Sequence, residues 1–308
     1  MPARLSIHVP GEPTLLRILE DGASIELGRD PAGELVIEHA SVSRRHARIT
    51  HDDGGWQLSD LGSKNGIRVD GARTAHTRLE RTCWFALGDV FCEFEPIDAR
   101  ARAHLAARDA ERRSSSHAWT ERIARNRRTE DLVADLLRGI VEISECERGF
   151  LLVFDADERL VMRACHSLTP DEVADRTFTG SRSAVDRALL HRRPVFSSDQ
   201  RDRAWLGDQA SVIARGLRAI ACLPLQHGGD LLGVAYADTG DAAKEFTDLD
   251  AELLAAFVER ASVALAIAML DEQLAGLTSL LAVGDAGNRT LGAAPAWPFP
   301  PAAAGDHA

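Results

Sequence analysis

The chain has 308 residues, of which 45% are hydrophobic and 27% are charged, and its net charge at pH 7 is −11. This composition is typical of a soluble globular protein, and the length is sufficient for two domains of ordinary size. Nucleic-acid binding requires a broad basic face, so a chain this acidic is not expected to bind nucleic acid.

The sequence shows no pattern that predicts a leader segment, a membrane span or a metal site. Residues 1–13 lack the apolar core of a signal peptide, and no run of 18 or more apolar residues predicts a membrane span. The five cysteines show no CxxC spacing, which favours reduced thiols over a disulfide framework. We therefore expect a cytoplasmic protein with no membrane partner, no metal ion and no other cofactor.

Residues 4–95 consist of short segments that alternate apolar and polar side chains. Gly, Pro and Asp clusters such as VPGEP, GRDPAGE and LGSKNG separate these segments. Alternation bounded by turn residues predicts β-strands. Many short strands need a second sheet to cover their apolar faces, so residues 1–98 are predicted to form an all-β sandwich of two antiparallel sheets.

Residues 99–128 have a different composition from the segments on either side. They are rich in Ala, contain nine arginines against three acidic residues, and carry three consecutive serines at 114–116. Branched apolar residues are scarce. This composition predicts a solvated linker that is helical in parts.

Residues 129–283 mix helical and strand patterns. Apolar residues recur at helical spacing between 132 and 140, and two hairpins are predicted with turns at 155–158 and 228–229. A long amphipathic helix is predicted over about 247–282. These elements predict an α+β domain in which helices flank an antiparallel sheet. The tail, 284–308, is rich in Ala, Pro and Gly, and is predicted to be disordered.

Three short motifs follow one another within the predicted sandwich: GRD at 28–30, SVSRRH at 41–46 and DLGSKNG at 60–66. Their order and spacing on an all-β background resemble the forkhead-associated (FHA) domain, a phosphothreonine-binding module. The chain departs from the family pattern at Ile67, where Thr is common, and at Leu79–Cys83, where the usual Leu-x-x-Gly-Asp is altered. Neither departure affects the predicted phosphate contacts.

The resemblance implies a phosphothreonine site built from side chains in these three motifs. The guanidinium of Arg29, the hydroxyl of Ser43 and the ammonium of Lys64 are expected to contact the phosphate. Asn65 is expected to hold the backbone of the bound peptide, and Arg44 to assist at a position that varies in the family. A planar guanidinium is well suited to a phosphate dianion.

Other residues of the motifs are assigned supporting roles or none. Gly28 and Gly66 are expected to supply backbone freedom in tight loops. His46 is expected to brace the loop rather than bind the phosphate. Arg45 and Arg48 are interpreted as surface charges.

The element order of residues 129–283 resembles a GAF domain, a small-ligand sensor and dimerisation module. The segments RGFLLVFD, RRPVFSSD, AIACLPL and LLGVAYAD carry the likeness. Some family members bind cyclic nucleotides through an Asn-Lys…Phe-x-x-x-Asp-Glu signature. Here Lys244, Phe246 and Asp250 are kept, but the Asn is missing and Ala251 replaces the Glu, which disfavours a nucleotide. The resemblance implies a small-molecule partner but assigns no ligand pocket.

The long final helix has more apolar residues than one core-facing stripe requires. They are Leu249, Leu253, Leu254, Phe257, Ala261, Val263, Ala264 and Ile267. One interpretation is that the surplus, together with the helix over 131–144, forms a homodimer interface. The other is that all of these residues lie in the core of one chain.

The sequence contains no Walker loop, no GxSxG, no HExxH and no kinase signature, and we predict no catalytic residue. Together with this absence, the two resemblances imply a non-enzymatic signal-transduction protein of the bacterial FHA–GAF type. Its partner would be a phosphothreonine-bearing protein, either a Ser/Thr kinase or a kinase substrate. Two alternatives stay open: a regulator of transcription that acts through a partner, and a ligand sensor whose FHA domain is purely structural.

Overall fold

The computed structural model describes residues 1–125, 128–174, 180–198, 219–241 and 243–282. The chain divides into two compact units, Met1–Glu111 and Arg112–Ala308. The tail that the sequence predicts to be disordered, 284–308, lies outside the described residues.

The first unit is built from short strands. They are β1 (Ala3–His8), β2 (Leu15–Leu19), β3 (Ser24–Gly28), β4 (Leu35–Val36), β5 (Ala47–Asp52), β6 (Gly55–Asp60), β7 (Ile67–Val69), β8 (Ala72–Thr74), β9 (His76–Arg78), β10 (Cys83–Leu87) and β11 (Val90–Pro96).

These strands form two sheets that pack face to face. One sheet has the order β2-β1-β11-β10-β7-β8 and the other has the order β4-β3-β5-β6-β9. All neighbouring strands are antiparallel except β3 and β4, which pair in parallel. Leu5, Ile49, Leu58, Phe85 and Phe94 point between the sheets and are fully buried or nearly so. The predicted all-β sandwich is therefore confirmed.

The segment predicted as a partly helical linker is one continuous helix, α1 (Ala99–Arg125). The segment contains no Gly or Pro, and its many Ala and Arg residues favour helix formation. The division between the two units falls within this helix. Its last turns carry Trp119 and Ile123 into the core of the second unit, so this part of the segment is not a solvated linker.

The second unit combines one sheet with helices. Its elements are α2 (Thr129–Ile143), β12 (Arg148–Phe154), β13 (Leu160–His166), α3 (Pro170–Ala174), α4 (Arg182–His191), β14 (Val195–Ser198), β15 (Ala219–His227), β16 (Asp230–Thr239) and α5 (Asp248–Ala282). The sheet is antiparallel with the order β13-β12-β16-β15-β14. The predicted α+β class is confirmed. Gly228 and Gly229, both with positive φ, form the predicted turn between β15 and β16.

Each face of this sheet is covered by a different set of helices. Successive residues of a strand point to opposite faces, so Phe150 and Leu151 belong to different clusters. Leu151 packs in the cluster that contains residues of α1, α2 and α5. Phe150 packs with residues of α3 and α4, and its ring stacks on Tyr236 at 4.8 Å between centroids.

The helix α5 contains a segment, Asp248–Ala275, that is long and apolar enough to cross a membrane by length and composition. Core helices of soluble proteins have the same property. Leu254, Phe257 and Ala261 of this segment are fully buried in the second unit, and Glu259 and Arg260 interrupt its apolar run. Its composition is therefore explained in part by its position in the core.

Candidate phosphothreonine site

Three loops of the first unit meet at one rim of the sandwich. They are the loop after β3, the loop between β4 and β5, and the loop between β6 and β7. The backbone N–H of Arg29 donates to the carbonyl of Ser43 at 2.9 Å, which joins the first two loops. The backbone N–H of Lys64 donates to Oγ of Ser43 at 3.0 Å, and Nδ2 of Asn65 donates to the carbonyl of Ser41 at 2.8 Å. The structure therefore brings Arg29, Ser43, Lys64 and Asn65 together.

Gly28 lies where two of these loops come into direct contact. A Cβ atom at residue 28 would lie 2.0 Å from the carbonyl oxygen of Arg44, so only glycine allows this approach. The backbone N–H of Asp30 donates to the same carbonyl at 3.1 Å. Arg44, the predicted assisting residue, is thus anchored through its backbone beside Arg29, and its side chain is exposed.

His46 is fully buried beneath the rim and holds two of the loops at fixed positions. Its Nδ1 accepts the backbone N–H of Ser43 at 3.0 Å, and its Nε2 lies 3.1 Å from the carbonyl of Gly66. A carbonyl can only accept, so Nε2 donates its N–H to Gly66 while Nδ1 accepts from Ser43. His46 therefore braces Ser43 and the Asn65–Gly66 turn and is not available to a phosphate.

The hydroxyl of Ser43 keeps its proton available. Its oxygen accepts the backbone N–H of Lys64, and a hydroxyl can still donate its own proton to another group. Arg29 donates Nε to the carbonyl of Val42 at 3.2 Å, which orients its guanidinium. Among the described residues neither Arg29, Arg44 nor Lys64 forms an ion pair with an acidic side chain.

The neighbouring arginines behave differently. Arg45 makes a bidentate pair with Glu26, and Arg48 donates to the same carboxylate. Hydrogen bonds from Arg45, and then those from Arg48, lower the pKa of Glu26 to about 2. Arg45 and Arg48 therefore have an acidic partner within the domain, whereas Arg29 and Arg44 have none among the described residues.

Asp60 and Ser41 organise the rim, although the sequence pattern assigned neither of them a role there. The carboxylate of Asp60 accepts the backbone N–H groups of Gly62 and Ser63 and the hydroxyl of Ser63. Ser41 accepts from Asn65 through its carbonyl and from the backbone N–H of Asp89 through its hydroxyl. Asp at the start of a Gly-rich loop is a known turn signal, so the role of Asp60 could have been found. The role of Ser41 depends on a contact 48 residues away.

In the second unit, Lys244 and Asp250, which the chain keeps from the nucleotide-binding signature, make contacts within the protein. The Asp250 carboxylate is buried, and it lies 2.8 Å from Nζ of Lys244 and 2.6 Å from Nη2 of Arg112 in α1. It also accepts the backbone N–H and the hydroxyl of Thr247. Burial by itself raises the pKa of Asp250, but the charges of Lys244 and Arg112 outweigh it, and the pKa is lowered. These residues form a structural lock between α1 and α5.

A second buried network lies beside α4. Arg148 pairs with the Asp238 carboxylate at 2.5 Å, and the Tyr236 hydroxyl donates to that carboxylate at 2.5 Å. The backbone N–H of Ser181, the N-cap of α4, donates to the Tyr236 oxygen at 3.1 Å. Burial is the largest cause that raises the pKa of both Tyr236 and Asp238. The network joins β12 and β16 to the start of α4.

The cysteines show no activation as nucleophiles. Burial raises the pKa of Cys146 to about 12, and it also raises the pKa of Cys83, Cys92, Cys165 and Cys222. In the part of the chain that the structure describes, no three His, Cys, Asp or Glu side chains are grouped to hold a metal ion.

Comparison with known proteins agrees with both resemblances. The family model of the FHA domain matches residues 25–88, and that of the GAF domain matches residues 126–266. The oxoglutarate dehydrogenase inhibitor of Corynebacterium diphtheriae is 37% identical over 54 residues, which are 18% of this chain and 38% of that protein. FhaB of Mycobacterium tuberculosis, an FHA domain-containing protein, is 30% identical over 95 residues, 30% of this chain and 61% of that protein.

Both of these relatives are matched over less than two thirds of their own length. Among solved structures, the FHA domain of the CT664 protein from Chlamydia trachomatis is 27% identical, with a TM-score of 0.30. That match covers 32% of this chain and 100% of the solved domain. The chain therefore contains an FHA domain followed by a GAF domain, a pair that supports a role in signalling.

Proposed function

We propose that this protein is a non-enzymatic, cytoplasmic signalling adaptor whose FHA domain binds a phosphothreonine on a partner protein. The proposal rests on the arrangement of side chains at the rim. The guanidinium of Arg29, the hydroxyl of Ser43 and the amide of Asn65 meet there, and their free donors have no acidic partner among the described residues. The partner would be a Ser/Thr kinase or one of its substrates.

The energies of these contacts are sufficient for a phosphorylation-dependent switch. A phosphate monoester carries a charge of about −1.5 to −2 at neutral pH. Each hydrogen bond to a charged group contributes about 1.5–3 kcal/mol. Two or three such bonds separate a phosphorylated peptide from its unmodified form by about a hundredfold or more.

A non-enzymatic role is supported by the family and by the buried chemistry. The Corynebacterium relative is named as an inhibitor of an enzyme, oxoglutarate dehydrogenase. In the present chain Lys244, Asp250, Tyr236 and Asp238 are engaged in structural networks. Their use in these networks supports a structural role for these polar side chains of the GAF domain rather than a catalytic one.

A phosphopeptide array tests the proposal against its main rival, in which the FHA domain is purely structural. Peptides carrying phosphothreonine, phosphoserine and unmodified threonine are probed with the full chain and with Arg29→Ala. We expect a set of phosphothreonine peptides to bind the wild-type chain and to be lost in the variant. Equal retention by both proteins would favour the structural role.

A second candidate function, dimerisation, is favoured by one surface of α5. Val263, Ile267, Leu270 and Leu274 are 36%, 56%, 58% and 60% exposed. Their spacing of four, three and four residues is that of the a and d positions of a coiled coil. These large apolar side chains form an exposed stripe along the helix, which we name the α5 seam.

The apolar residues of the helix fall into two groups, those buried in the core and those of the α5 seam. Leu253, Leu254, Phe257 and Ala261 are buried in the GAF core, whereas Val263 and Ile267 begin the seam. The heptad spacing continues in the sequence at residues 277 and 281, which are both Leu. We propose that the seam of a second copy covers this stripe as a two-stranded coiled coil, because identical heptads are self-complementary.

Analytical ultracentrifugation at micromolar concentration tests the dimer. We expect the wild-type chain to sediment as a dimer, and Ile267→Asp with Leu270→Asp to sediment as a monomer. Ala255→Asp is the matched control, because Ala255 is exposed on the same helix but lies off the seam. A monomeric wild-type protein would contradict the proposal.

Small-ligand sensing is the other role proposed for the GAF domain, and native mass spectrometry tests it by detecting a co-purified molecule.

A further inference from the structure

The hairpin formed by β7 and β8 carries two arginines directly opposite each other. Arg68 pairs with Arg73 in the antiparallel register, so their side chains lie on the same side of the sheet. Ile67, the residue before Arg68, is buried between the sheets, so both arginines point away from the core. Like charges directly opposite across two strands are destabilising. The arrangement therefore needs an explanation other than the stability of the hairpin.

The two arginines lack the acidic partners that other arginines of this domain have. Arg4 pairs with Glu95, and Arg102 pairs with Glu20. Among the described residues neither Arg68 nor Arg73 forms an ion pair, although Asp70 lies in the turn of the same hairpin. Their positive charge is available to a group outside the domain.

Both side chains are held beside the Asn65–Gly66 turn of the phosphothreonine site. The guanidinium of Arg73 fills the space where a Cβ of Gly66 would lie, with Nε 2.6 Å from that position. Gly66 also has a positive φ of 71°, so a side chain at this residue would both strain the turn and displace Arg73.

Arg68 is attached to the same rim through a short chain of contacts. Its Nη2 donates to the carbonyl of Gly88 at 2.5 Å. Gly88 packs so closely on Ser41 that a Cβ there would lie 2.6 Å from the Ser41 carbonyl oxygen. That carbonyl also accepts from Asn65. Arg73 therefore packs against Gly66, the residue next to Asn65, and Arg68 is linked to Asn65 through Gly88 and Ser41.

We propose that Arg68 and Arg73 form a second anion site, which binds an acidic group on the same partner segment that carries the phosphothreonine. This inference rests on the proposed function of the Arg29 rim. The ligand is a carboxylate or a second phosphate, because two guanidinium groups present planar, paired donors to oxygen anions. The partner segment is then an acidic or doubly phosphorylated stretch of chain.

The experiment is a positional scan measured by fluorescence anisotropy at about 0.15 M salt, which screens long-range charge effects. The starting peptide is a binder from the array with neutral residues around its phosphothreonine. Glu is placed at each flanking position in turn, and phosphoserine is placed at the position where Glu acts most strongly. We expect one or two positions to raise affinity at least about fivefold, a coupling of about 1 kcal/mol.

Variants of Arg68 and Arg73 test whether that gain in affinity comes from the arginine pair. In Arg73→Gln and in Arg68→Gln with Arg73→Gln, the gain from Glu is expected to vanish while the neutral phosphothreonine peptide still binds. Arg81→Gln is the control: it removes the same charge from an exposed residue that precedes β10, at the opposite end of that strand from Gly88. Because the substitution relieves a like-charge pair, the melting temperature of Arg73→Gln should be equal to or above that of the wild type.

The outcomes separate this inference from the proposed function. If phosphothreonine peptides bind through Arg29 but no position of Glu or phosphoserine improves affinity, the second anion site is wrong and the proposed function stands. If Arg81→Gln removes the gain as fully as Arg73→Gln, the effect is one of net charge and the site is equally wrong. A lower melting temperature for Arg73→Gln would assign that arginine a structural role. If no phosphothreonine peptide binds at all, both proposals fail.

Discussion

The two domains use their positive charges in opposite ways. At the rim of the FHA domain, Arg29, Arg44 and Lys64 have no acidic partner among the described residues. In the second unit, Arg112 of α1 and Lys244 of the GAF domain converge on the buried carboxylate of Asp250. A cation that stays unpaired where several loops converge is available to a ligand, whereas a paired and buried cation holds elements together. Whether a cation is paired therefore distinguishes a binding residue from a structural one better than its residue type does.

The same contrast exists within one short stretch of the FHA domain. Arg44 and Arg45 are neighbours in the loop between β4 and β5. Arg45 is held by Glu26 across the sheet, whereas the contact described for Arg44 with the β3 side of the rim is made by its backbone carbonyl. The family resemblance already assigned a binding role to Arg44 and none to Arg45, but the pairing of Arg45 with Glu26, 19 residues away, is visible only in the structure.

The largest effect that we expect comes from breaking the structural lock of the GAF domain. Asp250→Asn leaves the cations of Lys244 and Arg112 buried beside a neutral amide, which costs about 3 kcal/mol of unfolding free energy. Urea denaturation of the full chain measures the loss. Glu252→Gln is the control, because its pair with Arg113 is exposed and should contribute less than about 0.5 kcal/mol. Equal effects of the two substitutions would contradict the distinction between buried and exposed pairs.

The lock should also give stability a defined pH dependence. The folded-state pKa of Asp250 lies below its usual value of 3.8. A depressed carboxyl pKa contributes stability that is present above 3.8 and is lost as the pH falls through the folded-state value. We expect this acid-side loss to be smaller in Asp250→Asn. A variant with the full wild-type acid dependence would show that another carboxylate is responsible.

A smaller effect is expected from removing the brace of the FHA rim. His46→Ala leaves the N–H of Ser43 and the carbonyl of Gly66 without their partner. The loss of these buried hydrogen bonds should cost about 2 kcal/mol of stability. Phosphopeptide affinity should fall as well, because Ser43 and Asn65 lose their fixed separation. Thermal denaturation and anisotropy measured on the same samples test both parts, and unchanged affinity would show that the loops hold their geometry without His46.

The fold class could be predicted because its signals are local, and the rim residues could be predicted because three loop motifs resemble the FHA family. Strand alternation, turn residues and three loop motifs each depend on neighbours in the sequence, and the structure brings Arg29, Ser43, Lys64 and Asn65 together. The parallel pairing of β3 with β4 could not be predicted, because it depends on how the chain returns across the sheet.

The features that the sequence did not predict depend on distant contacts. The segment 99–128 has no continuous apolar stripe, so only the structure shows that Trp119 and Ile123 join the GAF core. The contact of Arg112 with Asp250 spans 138 residues. The Arg68–Arg73 pair could have been predicted more easily from the sequence, because Asp70–Gly71 is a hairpin turn signal that fixes which residues face each other.

Two arginines of one domain provide the most direct test that Arg29 binds the phosphate. Affinity for a phosphothreonine peptide is measured by titration calorimetry with the wild-type chain, Arg29→Ala and Arg45→Ala. We expect Arg29→Ala to weaken binding by about 2 kcal/mol, or about 30-fold, because the phosphate loses its guanidinium. Arg45→Ala should stay within about threefold of the wild type, because Arg45 is already paired with Glu26. Unchanged affinity in Arg29→Ala, or an equal loss in both variants, would contradict the account.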